Sequence, residues 1–280
     1  MTRALGGLLL LAWGPTASLL AQGDCFPSKS SNEAQTFAVF SVPLAFSPAG
    51  APRAGSGRVR LGFELSYLPN VDSSIARPTV CRPGKEAENT DFMFAAPRPR
   101  VEVVLGGGLA LEGSWVPPIR HNQVKANLIA VALSWDTRLG LGSARLTLRG
   151  HGTFGKIEAP ITCPDEALQN PISECFQGTR SDDAYRPNIL GAEAIARWSV
   201  GGRLHPYLGA GYNHLRPRFQ VNFRNALNQL DNRRVEVDLN RIAVFGGLTW
   251  ATASRWTLSA EVYSAPADAV TGRMAIRFGL

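Results

Sequence analysis

Along most of the chain apolar and polar residues alternate one by one. Between Arg58 and Leu68, the residues Val59, Leu61, Phe63, Leu65 and Tyr67 fall on one face, with Arg58, Arg60, Glu64 and Ser66 on the other. The last eight residues repeat the pattern: Met274, Ile276, Phe278 and Leu280 oppose Arg273, Ala275, Arg277 and Gly279. A period of two means strands with one apolar and one charged face. Followed through the chain, it predicts ten strands, at 58–68, 100–105, 109–116, 124–135, 144–155, 190–200, 204–215, 235–250, 255–263 and from 273 to the end. Within 235–250 the phase slips near Asn240, which predicts a bulge, or a strand that rises out of the sheet before bending.

The connections sort into two kinds. Tight turns at 106–108, 139–142, 201–203 and 251–254 alternate with longer or Pro-rich segments at 69–97, 117–123, 156–187, 216–234 and 264–271. A soluble sandwich gives no reason for that alternation, whereas an up-and-down membrane barrel has short turns on one side and long loops on the other. Tyr67, Trp115, Trp135, Trp198, Trp250 and Trp256 stand near strand ends, where a barrel carries its interfacial girdles of aromatic residues. The expected fold is therefore all-β: a closed antiparallel up-and-down transmembrane β-barrel of about ten strands (8–12), spanning 57–280. An even strand count puts both chain ends on the turn side.

The amino terminus changes the picture in two ways. Arg3, the apolar run around Leu8–Trp13 and a small-residue end at Ala21 read as a secretory signal over 1–22. Cys25 soon after raises a lipoprotein as the competing reading, against which stands the Gly23-Asp24 that precedes it. Residues 23–56 form a lead-in, and 35–46 is apolar without clean alternation or helical period, as a segment packed inside the barrel would be. Cys25, Cys81, Cys163 and Cys175 lie outside the strands, and behind a signal an even count reads as two disulfides of three possible connectivities. Cys163 and Cys175 share one loop and form the natural first pair. That leaves a free or intermolecular Cys25, or a Cys25–Cys81 link, which closes only if 26–57 threads the barrel with 35–46 in its lumen.

Residues 58–280 resemble the small, single-chain outer-membrane β-barrel proteins of bacteria. The resemblance implies an outer-membrane location, lipid around the barrel, and biogenesis through the barrel-assembly machinery. The last strand looks like the signal read by that machinery, which usually ends in an aromatic residue; here Phe278 stands two before the terminal Leu280.

The lumen face is unusually charged. Arg58, Arg60, Arg100, Arg145, Arg149, Arg197, Arg273 and Arg277 stand against Glu64, Glu102, Glu112, Glu193 and Glu261, with His151 among them. Buried charges need partners, so these predict a cross-strand network in which His151 is a polar filler. The formal net charge is +7, but its arginines lie in alternating strands and loops, which excludes a nucleic-acid partner. No metal ligand spacing, cofactor motif or catalytic constellation stands out, so the chain reads as a non-enzyme. Gly209-Ala210-Gly211 lacks the helix of a dinucleotide site. Three functions follow: a barrel with a largely plugged lumen and a structural or surface-loop role, a narrow anion-leaning channel or small-solute transporter, or a secreted soluble binding barrel.

Overall fold

The computed structural model describes residues 23–280 apart from 56, 84, 86, 87, 89, 91–94, 122, 141, 253 and 254; the signal assigned to 1–22 lies outside the described residues. Ten strands form the wall: β1 Val59–Tyr67, β2 Ala95–Gly106, β3 Leu109–Val116, β4 Val124–Arg138, β5 Arg145–Ala159, β6 Ile189–Arg197, β7 Leu204–Leu215, β8 Leu239–Ala251, β9 Trp256–Ala265 and β10 Ala269–Gly279. Each pairs antiparallel with the next, and β10 returns to β1 from Arg273↔Ser66 to Gly279↔Arg60. The wall is thus one closed sheet with its first and last strands joined, which removes the edges an open sheet exposes. It is a closed ten-stranded antiparallel barrel.

Side-chain alternation decides which face is which. Leu61, Phe63, Leu65, Ile129, Val131, Leu133, Leu258, Val262, Met274 and Ile276 all point outward, between 40% and 67% exposed. A continuous apolar belt of this kind is far larger than the few hundred Å² a soluble monomer leaves uncovered. It suits a hydrocarbon surround, and the closed wall satisfies its own backbone there. The protein is a membrane-spanning β-barrel of the outer-membrane type.

The turn end is built on glycine. Gly106, Gly107 and Gly108 all take positive φ (100°, 56° and 89°), a region open to glycine without steric cost. The strand ends shift by a few residues from the sequence pattern, and three differences change the reading. Strand β2 starts at Ala95, because Pro97 and Pro99 disguise its loop end as a loop. The phase slip near Asn240 marks two separate strands: Arg234–Glu236 belongs to the loop-end cap, and β8 begins at Leu239 with unbroken register to β7. Finally, Ala265 pairs with Ala269, so the connection read as 264–271 is itself a tight turn.

The lead-in is not extended where the sequence analysis leaves it irregular. Residues Asn32–Leu44 form a helix, α1, with Ser31 as N-cap accepting from the Ala34 N–H at 3.2 Å. Pro43 sits in its last turn, where the lost N–H costs a single helical bond. The helix is apolar nearly all round because it is enclosed nearly all round, which is why no amphipathic period is visible in its sequence. Phe37, Ala38 and Leu44 pack with Leu128, Tyr185, Phe219 and Val235 under the loop end. Thirteen helical residues rise only about 20 Å; residues 45–55 continue down the lumen. There Val42, Ala45, Ala51 and Ala54 pack against Ile195, Tyr207, Phe245 and Tyr263.

A cap closes the loop end. Asp183–Arg186, Arg218–Gln220, Arg234–Glu236 and Asp24–Cys25 extend the sheet in that order beyond the end of β5. Cys25 is bonded to Cys81, and Cys163 to Cys175. Residues 24–25 therefore lie on the loop side, not the turn side expected from the even strand count; the chain runs down the lumen before β1 begins.

Candidate functional site

The lumen is where the chain concentrates its charge. Register brings many opposite pairs directly across strands: Arg60 faces Glu102, Glu64 faces Arg98, Arg149 faces Glu193, and Glu261 faces Arg273. Cross-strand neighbours on one face sit within side-chain reach, so register converts an alternating pattern into ion pairs. Arg100 Nη1 lies 2.7 Å from Glu64 and its Nη2 3.2 Å from Glu112. Arg149 joins Glu112 at 3.0 Å to Glu193 at 2.9 Å, and His151 Nε2 lies 3.3 Å from the other Glu193 oxygen. Arg60 pairs with Glu102, and Arg273 stands 3.7 Å from Glu261.

The arginines outnumber these carboxylates because they have a second job. Arginine carries five donors and no acceptor. The irregular backbone of 45–55 has carbonyls that no helix or ladder satisfies. Arg273 donates to the Val42 carbonyl at 2.8 Å, Arg98 to Leu44 at 3.2 Å, and Arg100 to Ser47 at 2.6 Å and to Pro48 at 3.0 Å. Arg149 donates to the Phe46 carbonyl, Arg277 to Pro48, and Arg60 to Ala54. Thr153 donates to the Leu44 carbonyl, and the Ala51 N–H donates to Thr249 Oγ1 at 2.7 Å. Phe46 is fully buried, with the guanidiniums of Arg100, Arg149 and Arg98 at 4.1, 5.0 and 5.6 Å from its ring centre. Desolvated contacts of this type are worth about 2 kcal/mol each.

Several residues expected in this network stand apart from it. Arg58 precedes β1 at the turn-end rim and is exposed; its backbone carbonyl accepts from the Val104 N–H, and its side chain makes no ion pair among the described residues. Arg145 pairs near the turn end with Asp136, which also accepts from Thr147 at 2.9 Å. Arg197 lies across from Arg145 and makes no ion pair among the described residues, since Asp136 is already taken. The outward set of Tyr67, Trp115, Trp135, Trp198, Trp250 and Trp256 is exposed, near the strand ends.

Other participants were missed. Asp136 continues the inward parity of Ser134, so its signal was present in the alternation. Arg98 was hidden between two prolines. Tyr207, donating to Glu261 at 2.9 Å, and Ser47, donating to the same carboxylate at 2.5 Å, lacked any signal until the lead-in entered the lumen. Gly209 and Gly211 leave room inside the wall: a Cβ on Gly209 would strike the Phe245 ring, and one on Gly211 would lie 2.8 Å from Glu193 Cγ.

The loop end is tied to the lead-in as well. Glu33, in the first turn of α1, accepts from the N–H groups of Thr79, Val80 and Cys81 at 3.0, 2.8 and 2.9 Å. Burial pushes its pKa up, but these N–H groups, with its own, outweigh burial and hold the carboxyl below the usual range. Arg82 binds three loops together through Glu88, Glu174 and Asp231. Asp183 accepts from Thr162 and Asn222 N–H at 2.6 and 2.9 Å, yet burial keeps its carboxyl above the usual range.

No protein-family model matches the chain, and no curated protein matches it. Among solved structures it is similar to Neisserial surface protein A, at 10% identity over 80% of this chain and 98% of that one, with a TM-score of 0.30. It is similar also to Ail, the attachment invasion locus protein of Yersinia pestis, at 10% identity, 79% and 96% coverage and a TM-score of 0.30. The translocator domain of the autotransporter NalP from Neisseria meningitidis shows 10% identity, 82% and 90% coverage and a TM-score of 0.32. Likeness at this level assigns no activity, and the barrel's closure rests on its own strand register.

Proposed function

We propose that the protein is an integral outer-membrane barrel sealed by its own amino-terminal segment, whose outward role is carried by its disulfide-braced loop cap. One observation carries this reading: six inward arginines, Arg60, Arg98, Arg100, Arg149, Arg273 and Arg277, donate to backbone carbonyls of residues 42–54. The arginine surplus then serves the plug rather than a passing anion. Ten strands enclose little more than side chains can fill, so one peptide strand closes the pore. A barrel that conducts nothing acts through what it presents, and on the loop side it presents the cap held by Cys25–Cys81 and Cys163–Cys175.

Planar-bilayer recording tests the seal. The intact protein is expected to give no steady conductance, while a variant lacking residues 32–55 inserts and conducts. Steady anion-selective current from the intact protein would overturn the reading in favour of a narrow channel.

A further inference from the structure

A cavity of about 530 Å³ lies between α1 and the loop-end half of the wall. Its lining comes from both sides of that wall. Thr36, Phe37, Phe40 and Leu44 contribute from the enclosed helix, whereas Phe63, Pro97 and Pro99 contribute from the lipid-facing surface of β1 and β2. A cavity can reach both only where the wall is parted, and the strand register shows the seam. Strand β2 pairs with β1 along its whole length to Ala95, but its pairing with β3 stops at Arg100↔Ser114. Beyond that point β3 follows β4 instead, to Val116↔Leu128, and Arg120–His121 then pair back onto Val124–Lys125. Among the described residues, 95–99 of β2 have no paired strand on that side.

Proline keeps the seam from closing. One lip carries Pro97 and Pro99, the other Pro117 and Pro118, and a residue without an N–H cannot donate to a ladder. The second lip also folds on itself, with Ile119 donating to the Pro117 carbonyl at 2.7 Å. Both lips line the cavity, and Phe63 beside them belongs to the apolar belt, on the lipid side of Tyr67 at the strand's loop end.

We infer that this cavity takes a hydrocarbon chain, entering sideways from the surrounding leaflet through the seam between β2 and β3. The lining dictates the ligand. Its charged groups are already engaged: Glu33 by three backbone N–H groups, Arg82 by Glu88 and Glu174, and Arg98 by Glu64 and the Leu44 carbonyl. Thr36 donates its hydroxyl to the Ile75 carbonyl at 2.8 Å. Apart from Asn70, Thr90 and His121, what remains is apolar wall, and the volume is within the range of small-molecule sites. A chain leaving lipid for this site loses no apolar surroundings, and it restores the dispersion contacts that an empty void forgoes.

This proposal rests on the membrane reading of the barrel, and one experiment separates the two. The protein is reconstituted in nanodiscs of phosphatidylcholine carrying a photoreactive diazirine in its acyl tail, irradiated, and mapped by mass spectrometry. Labelling of α1 peptides (32–44) together with outward belt peptides is the expected result, because α1 is reached from lipid only through the seam. Labelling of the belt alone overturns the proposal; absence of belt labelling strikes the membrane reading itself. A parallel arm in unlabelled lipid with a free diazirine fatty acid tells whether the chain comes from a phospholipid or a free molecule. Ala126→Phe, which fills the cavity from β4, should cut α1 labelling at least about fivefold while belt labelling persists; unchanged α1 labelling in a variant that still shows belt labelling would overturn the proposal.

Discussion

Glu193 is the residue on which the lumen network turns, since it receives Arg149 on one oxygen and faces His151 on the other. Removing one partner from a buried pair costs about 3–5 kcal/mol, because the remaining charge stays desolvated. Glu193→Gln keeps the shape and loses the charge. Arg149 retains Glu112, so the expected loss sits at the low end, about 3 kcal/mol, read as a lower urea midpoint of the refolded barrel. An unchanged midpoint would mean that the network does not act as a unit. Glu33 shows the opposite balance outside the membrane. With a folded pKa below its unfolded value, it contributes stability that is complete above the unfolded value of about 4.3 and disappears as pH falls through the folded one. The gap in thermal midpoint between wild type and Glu33→Gln should therefore be widest near neutrality and close under acid. A gap that widened in acid would contradict the assignment.

At the level of elements, the threaded segment is fastened at two depths. The Cys25–Cys81 bond, 56 residues apart in sequence, anchors its loop end, and guanidinium–carbonyl bonds hold 42–54 below. On loop-closure entropy alone, losing a cross-link of this span costs about 4 kcal/mol. Cys25→Ser with Cys81→Ser should thus lower the unfolding midpoint yet leave planar bilayers without steady current, because the deeper fastening survives. Current appearing in the double variant would show that the disulfide, not the arginine set, holds the plug. The strand pattern of the wall was readable because β-strands expose their period directly. The threading was legible in the non-alternating apolar stretch 35–46 and in the pair Cys25 and Cys81, but the helix within it was not, because a helix enclosed on every side has no polar face to set a period.

For the whole molecule, size and surface settle the membrane and the lumen separately. A belt of exposed Leu, Ile, Val and Phe running around a closed wall has hydrocarbon as its natural medium, whatever fills the middle. A ten-stranded interior holds a single passing strand and little else. About a dozen residues of the same chain are therefore enough to occupy it. The same economy leaves strand ends unpaired, among them the seam beside Pro97 and Pro99, where β3 parts from β2.

The alternation of side chains by itself determined the strand count, the outward belt, the inward charge and, except at 264–271, the two kinds of connection, since each is a property of neighbours along the chain. Even Asp136 was legible, one step further on the parity of Ser134. Only the tertiary structure decided that Arg58 stands at the rim, that Arg197 lies across from Arg145 without an ion pair among the described residues, and that Arg98 and Ser47 belong to the lumen. It decided too that 234–236 serves the cap while 239–251 serves the wall. The physical reason is that a lumenal group is satisfied by whatever the strand register and the path of the threaded backbone bring opposite it, and that pairing leaves no local mark in the sequence.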